Sequence, residues 1–375
     1  MLSSALLLGL ASAAVAKHCQ NITVPLTISA RNGVFNMETP KTEIQVTNFI
    51  LDLTAQGQNY TAKVITGYKT ITGKYKLATT YCEPDKGRSD KLQILTHGIG
   101  FDRSYWDFPF NNYNYSYVNR AIDQGYSTLS WDRLGIGHSS HGDPIAEIQI
   151  FMEIAALKAL TRWVKQGKLP GGKHKASKVV QVGHSFGSSI VLGLNNESPE
   201  LSNAMILTGF GQVPNFVPEF ALGGNFVSVK EAKGLADKYV EGYLAGQSTV
   251  GLHTNVFAPG GFDPRILTAA AMSGQPAAIG EFLTMGGVAP KTQFKGPVLI
   301  ITGERDLPFC GGDCKNAKAI NSNAPNLIEM SRENFKSASV FNAKVVPGAG
   351  HGINYHYSAP VAYKVMLDFL RSSLK

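Results

Sequence analysis

Apolar residues in this chain fall into short runs bounded by glycine and polar positions, and the rhythm of those runs changes twice. From residue 22 to 85 they alternate with polar ones among many Thr, Val, Ile and Tyr, as in EIQVTNFILDL (43–53) and KYKLATTYC (74–82). Alternation with a period of two predicts antiparallel strands over this stretch. Beyond Lys91 the pattern becomes continuous apolar runs: KLQILTHG (91–98), YSTLSWD (126–132), KVVQVGHS (178–185), NAMILTGF (203–210), GPVLIITGERD (296–306) and NAKVVPGAGH (342–351). Helical periodicity separates them near 117–124, over 145–167, from Phe186 onward and at 360–374. Strand and helix in alternation predict an α/β fold: a mostly parallel eight-stranded sheet with helices on both faces.

Residues 212–295 interrupt this rhythm. VKEAKGLADKYVEGYLAG (229–246) and PRILTAAAMSG (264–274) read as helices between Gly/Pro-rich turns, with no buried strand. The expected organisation is a core of residues 17–211 and 296–375 with a helical cap or lid, 212–295, inserted between two sheet strands.

With 43% apolar and 17% charged residues in 375, the composition is that of a globular chain with a large core. The formal charge of +8 is densest at Lys165–Lys178, a Gly/Pro-bearing connection without aromatic residues. That composition reads as a solvated loop, so no nucleic-acid partner is expected. Residues 1–16 carry no charge and end in Ala14-Val15-Ala16, which reads as a signal peptide cleaved before Lys17; it is too short for a membrane anchor. Sequons at Asn21, Asn59, Asn114 and Asn196 agree with export and N-glycosylation, although Pro199 directly follows the last. An even set of cysteines in an oxidising compartment suggests two disulfides. Of the three pairings, Cys19–Cys82 and Cys310–Cys314 are favoured. No His pair stands at a spacing that would turn these cysteines into a metal site, so no metal is expected.

The candidate chemistry lies in Gly183-His184-Ser185-Phe186-Gly187, between a Val-rich strand and a helix-compatible segment. A tight strand-to-helix turn lifts a serine hydroxyl out of the sheet, and small residues two before and two after allow the crowded backbone. Gly137-His138-Ser139 lacks the closing glycine. Ser185 needs a base. His351, after a short strand and before the last helix, is the candidate; His356 lies nearer that helix. Asp306, directly after PVLIITGER, is the candidate acid to orient the base, with Glu304 as the alternative. The backbone N–H groups of Phe186 and of Ile99, in the turn opened by Gly98, are the candidate oxyanion donors.

Through HGIG (97–100), WDRLGIGHS (131–139), GHSFG (183–187), GERD (303–306) and GAGH (348–351), the chain resembles the α/β-hydrolase superfamily over nearly its whole mature length. The order Ser185, Asp306, His351 is that superfamily's order. Its signal peptide and β-rich beginning make it similar to secreted, glycosylated serine α/β-hydrolases of fungi. The resemblance implies a serine hydrolase without a cofactor and with a cap over its pocket. The long Asp306-to-His351 interval, holding the Cys310/Cys314 loop, departs from the family pattern. Serine at the elbow speaks against the family's dehalogenases and epoxide hydrolases, which use aspartate there.

An esterase or lactonase is therefore expected. Its partner would be a small hydrophobic ester, with Tyr105, Trp106 and Phe108 lining an apolar pocket unless they pack in the core. The alternatives are a prolyl-aminopeptidase-like peptidase, with Glu219, Glu231 or Glu281 anchoring a substrate amine, and a lyase or binding protein that kept the elbow.

Overall fold

The computed structural model describes residues 17–85, 89–170 and 176–374; the expected signal peptide lies outside them. Its main sheet has eight strands: β1 (Lys17–Phe35), β2 (Ile65–Pro84), β3 (Lys91–Thr96), β4 (Ser127–Trp131), β5 (Lys178–His184), β6 (Ala204–Thr208) and, after three short strands described below, β10 (Val298–Arg305) and β11 (Phe341–Gly350). The order is β1-β2-β4-β3-β5-β6-β10-β11. From β4 to β11 neighbouring strands are parallel, while β1 and β2 form a long antiparallel ribbon joined to β4 only through residues 79–82. Within the ribbon Cys19 faces Cys82 in register, and the two are disulfide-bonded; Cys310 and Cys314 form the second bond.

The central strands are continuous apolar runs because both of their faces are covered. Helices Ile150–Lys165 and Phe186–Glu197 pack on one face and helices Tyr117–Asp123 and Ala359–Ser373 on the other, giving two core clusters. All the parallel strands end on the same edge. Short loops there carry residues 97–102, 132–139, 185, 209, 306 and 351.

Two expected elements differ. EIQVTNFILDL is a helix, Glu43–Thr54, not a strand. Thr42 and Gln45 form a reciprocal capping box, and the buried residues Val46, Phe49 and Ile50 follow helical spacing. The β-branched residues that suggested a strand are outweighed by that cap and that apolar stripe.

The insertion between β6 and β10 is mixed rather than all helical. It holds helices Val217–Gly223, Thr249–Val256, Pro264–Met272 and Ile279–Thr284 around an antiparallel sheet of β7 (Phe226–Ser228), β8 (Tyr243–Gly246) and β9 (Ala277–Ala278). The stretch 229–246, expected as one helix, is a 3-10 turn, a loop and β8. Gly234 and Gly242 adopt φ of +82° and +94°, which no helix interior accommodates.

Candidate active site

Ser185 occupies a sharp turn between β5 and the helix Phe186–Glu197, at φ 56° and ψ −122°. A non-glycine residue held there is strained, and the neighbouring packing maintains it. A side chain at 183 would meet the backbone of Gly187 and Ser188 at 2.5 Å, and one at 187 the carbonyls of Thr96 and His97 at 2.4 and 2.5 Å. The Ser185 N–H donates to the Thr208 carbonyl at 2.9 Å, pinning the elbow to the end of β6. The serine itself is half-buried.

His351 follows β11 and is 2% exposed. Its Nδ1 lies 2.9 Å from Asp306 Oδ2, and its ring centroid lies 4.9 Å from that of His184, the residue before Ser185. Asp306 is fully buried and caps the short helix Leu307–Cys310. Its Oδ1 accepts the Phe309 N–H at 3.0 Å, and its Oδ2 also accepts the Thr302 hydroxyl. With a carboxylate on Nδ1, the imidazole carries its proton there and leaves Nε2 as the acceptor. Glu304, the alternative acid, turns outward to Lys315 at 2.8 Å.

The turn after β3 presses against the elbow: a Cβ at Gly98 would sit 2.8 Å from Ser185 Cβ and 3.0 Å from the His184 carbonyl. The N–H groups of Ile99 and of Phe186 find no acceptor among the described residues. Two free N–H groups flanking a serine, one at a helix N-terminus, can receive a developing oxyanion.

Three other buried histidines surround the site, and each is committed elsewhere. His97 Nε2 accepts the Arg133 N–H at 3.0 Å, so its Nδ1 donates to the Gly98 carbonyl at 2.9 Å. His184 stacks on Tyr105 with centroids 4.3 Å apart and reaches the Thr208 hydroxyl at 3.2 Å. His356 Nε2 accepts the N–H groups of Ala258 and Gly350 at 2.9 and 3.0 Å, while Nδ1 donates to the Gly352 carbonyl. Burial lowers the basicity of all three, His356 to about 4, and none of them has a carboxylate partner.

Tyr105, Trp106 and Phe108, expected to line a pocket, are instead at most 3% exposed and pack with Tyr117 and Tyr355 in the core. The rings behind the turn after β3 gain more from filling the space against the last helix than from facing a cavity. A cavity adjoins that turn, although Ser185 and His351 are not among its lining residues. It has about 770 Å³, opens from Ile99, Gly100 and Phe101, and is walled by the insertion's Phe220, Phe226, Leu252 and Val256. Lys233 and Lys238 stand at its exposed rim.

Sequence reasoning also missed Arg133, which is fully buried between Glu153 and Glu281. An arginine set among the apolar residues of WDRLGIG was the available signal. Glu281, weighed as an anchor for a substrate amine, is occupied by this pairing; Glu219 is partly exposed and Glu231 exposed.

A profile of the Alpha/beta hydrolase family matches residues 93–363, well over half of the chain. The chain belongs to that family. The N-terminal ribbon and the helix Glu43–Thr54 lie outside the matched region. No curated protein matches the chain in sequence. Similar solved structures include a thermophilic esterase from Thermogutta terrifontis (14% identity, 80% of this chain and 94% of that one, TM-score 0.53). A bromoperoxidase from Bacillus anthracis (16%, 80% and 96%, 0.52) and an epoxide hydrolase from Vigna radiata (16%, 80% and 95%, 0.51) are also similar. At such identities the likeness is one of fold, and the chemistry has to be argued from the site.

Proposed function

We propose that this family member is a serine ester hydrolase acting on a hydrophobic small molecule, exported through its uncharged N-terminal segment and N-glycosylated. The observation that carries the reading is the buried His351–Asp306 pair, 2.9 Å apart, beside a serine on a strained elbow. In this reading His351 Nε2 takes the Ser185 proton as Oγ attacks the ester carbonyl carbon. Asp306 holds the imidazole in the right tautomer and offsets its positive charge. The Ile99 and Phe186 N–H groups receive the carbonyl oxygen as it becomes an anion. Collapse breaks the bond to the leaving alkoxide, which takes the proton from His351. Water, deprotonated by the same base, then releases the acid from Ser185.

The apolar walls of the cavity next to Ile99 favour a hydrophobic acyl or alcohol portion. Export is supported by the two disulfides. Among the described residues no helix is long and apolar enough to cross a membrane. Asn21, Asn59 and Asn114 are exposed, whereas Asn196 turns its amide to the Ala289 carbonyl at 2.9 Å, so the first three are the proposed glycan sites.

The test is fluorophosphonate labelling with peptide mapping, followed by p-nitrophenyl esters and aminoacyl anilides. A label on Ser185 that His351→Ala slows at least about a hundredfold, with esters cleaved faster than anilides, is the expected result. A label elsewhere, or one indifferent to His351, overturns the reading.

A further inference from the structure

Arg133 lies just after β4, with no solvent exposure, and both of its carboxylate partners are equally buried. Its Nη1 donates to Glu153 of the helix Ile150–Lys165 at 2.7 and 2.6 Å, and to Glu281 of the inserted segment. The other side of the same residue faces the proposed oxyanion hole. Its backbone N–H binds His97, its Nη2 lies 3.4 Å from the Gly98 carbonyl, and its guanidinium sits 5.0 Å from the centre of the Phe186 ring. Arg133 therefore touches both segments that present the free N–H groups.

Two carboxylates on one guanidinium would leave a net negative charge in a dry site, which is costly. Burial holds the Glu153 carboxyl well above the usual range; Arg133 pulls it down and Glu281 pushes it up. A second full negative charge beside Glu281 is thus disfavoured, and Arg133 Nη1 is the donor that both carboxyl groups share. The inserted segment is fastened here in other ways too. The Gly280 N–H donates to the Pro144 carbonyl at 2.7 Å, and the Thr284 hydroxyl accepts the Ile150 N–H at 3.0 Å. In the cavity lining, Gln275 donates its N–H to the Gly100 carbonyl at 3.0 Å and its amide to Asp102 at 3.2 Å.

We infer that Arg133 is a positioning residue for the oxyanion hole, and that Glu281 balances its charge so that the inserted segment and the oxyanion turn form one unit. The segment does not swing away at this end during turnover. A lid hinged over the whole insertion would have to uncover a buried charge at each opening.

This inference rests on the serine-hydrolase reading. Its test compares the wild-type chain with Arg133→Lys and with the triple variant Arg133→Met, Glu153→Met, Glu281→Gln. The triple variant buries no charge and keeps an acceptor for the Ala278 N–H that Glu281 now binds at 2.7 Å. Urea unfolding checks that each variant folds, and the readouts are kcat, KM and the rate of fluorophosphonate labelling. The expected result for the folded triple variant is a KM within about threefold of wild type, with kcat and labelling both slowed by about a hundredfold, the loss of one oxyanion donor. Arg133→Lys keeps the charge but loses the planar fork, so labelling slows by about tenfold. A folded variant labelled as fast as a labelled wild type overturns this inference alone. An unlabelled wild type overturns the serine-hydrolase reading, and this inference with it.

Discussion

Gly98→Ala is the sharpest single change for testing how the oxyanion turn meets the elbow. The added methyl would lie 2.8 Å from Ser185 Cβ and 3.0 Å from the His184 carbonyl, where ordinary contact begins at 3.4 Å. Neither neighbour is the end of a flexible side chain, so the turn itself has to retreat by roughly 0.6 Å. That displacement carries the Ile99 N–H from about 2.9 Å to about 3.5 Å from an oxyanion, beyond useful hydrogen-bond range. Loss of one donor of this kind costs about 10² to 10³ in kcat, or about 3 to 4 kcal/mol of transition-state stabilisation. Strain in the folded state costs a further 1 to 3 kcal/mol or so of stability.

The assay is steady-state hydrolysis of a p-nitrophenyl ester beside urea unfolding. Gly67→Ala serves as the control, because nothing lies within 4 Å of the methyl it would add. The expected outcome is a collapse of kcat with KM nearly unchanged in Gly98→Ala, and neither effect in the control. A folded Gly98→Ala chain with wild-type kcat would refute the assignment of the turn as an oxyanion donor.

Two other predictions concern stability. His356 is neutral when folded, with its pKa pushed down to about 4, whereas it titrates near 6.5 in an unfolded chain. Its contribution is thus complete above pH 6.5 and is lost as pH falls toward 4, amounting to about 2 kcal/mol by pH 5. His97 and His184, their basicity also lowered by burial, act in the same direction, while Glu153, its carboxyl raised by burial, acts in the opposite one. The urea midpoint should fall between pH 7.5 and pH 5, and less steeply in His356→Asn; equal slopes would contradict the assignment. The second prediction separates the disulfides, whose spans of 63 and 4 residues correspond to about 4 and about 2 kcal/mol of unfolded-state restraint. Replacing Cys19 and Cys82 by serine should cost more stability, and replacing Cys310 and Cys314 more activity, since Cys310 ends the short helix that Asp306 caps. The reverse ranking would count against both assignments.

The sheet was readable from sequence because its strands are buried on both faces. A run such as KVVQVGH or VLIITGER has no polar face to disguise it, and a glycine or charged residue marks where it meets the loops. Residues 43–53 were misread because their β-branched composition carries a strand signal, while the deciding features are one capping box and a three-residue stripe. Residues 229–246 failed in the opposite sense: charged residues at helical spacing hid two glycines in left-handed conformations. Tyr105, Trp106 and Phe108 could not be placed because a ring against a core and a ring against a cavity look alike in one dimension. Arg133 and Glu281 are 148 positions apart, and no local pattern ties a buried arginine to a particular distant glutamate.

The histidines show what distinguishes a base from its neighbours. Four of them, at 97, 184, 351 and 356, are buried close to the strand ends, and glycine flanks each of the first three in sequence. Spacing alone therefore ranks them poorly. A general base must gain a proton during the reaction, and a buried imidazolium without a counter-charge is unstable. His97 and His356 spend both nitrogens on backbone groups, and His184 has only a hydroxyl partner. Only His351, of the four, has a carboxylate on Nδ1, and that carboxylate is itself held by Thr302 and Phe309. The choice of His351 thus depends on Asp306, which lies 45 residues earlier and reaches it only because β10 and β11 run side by side in parallel.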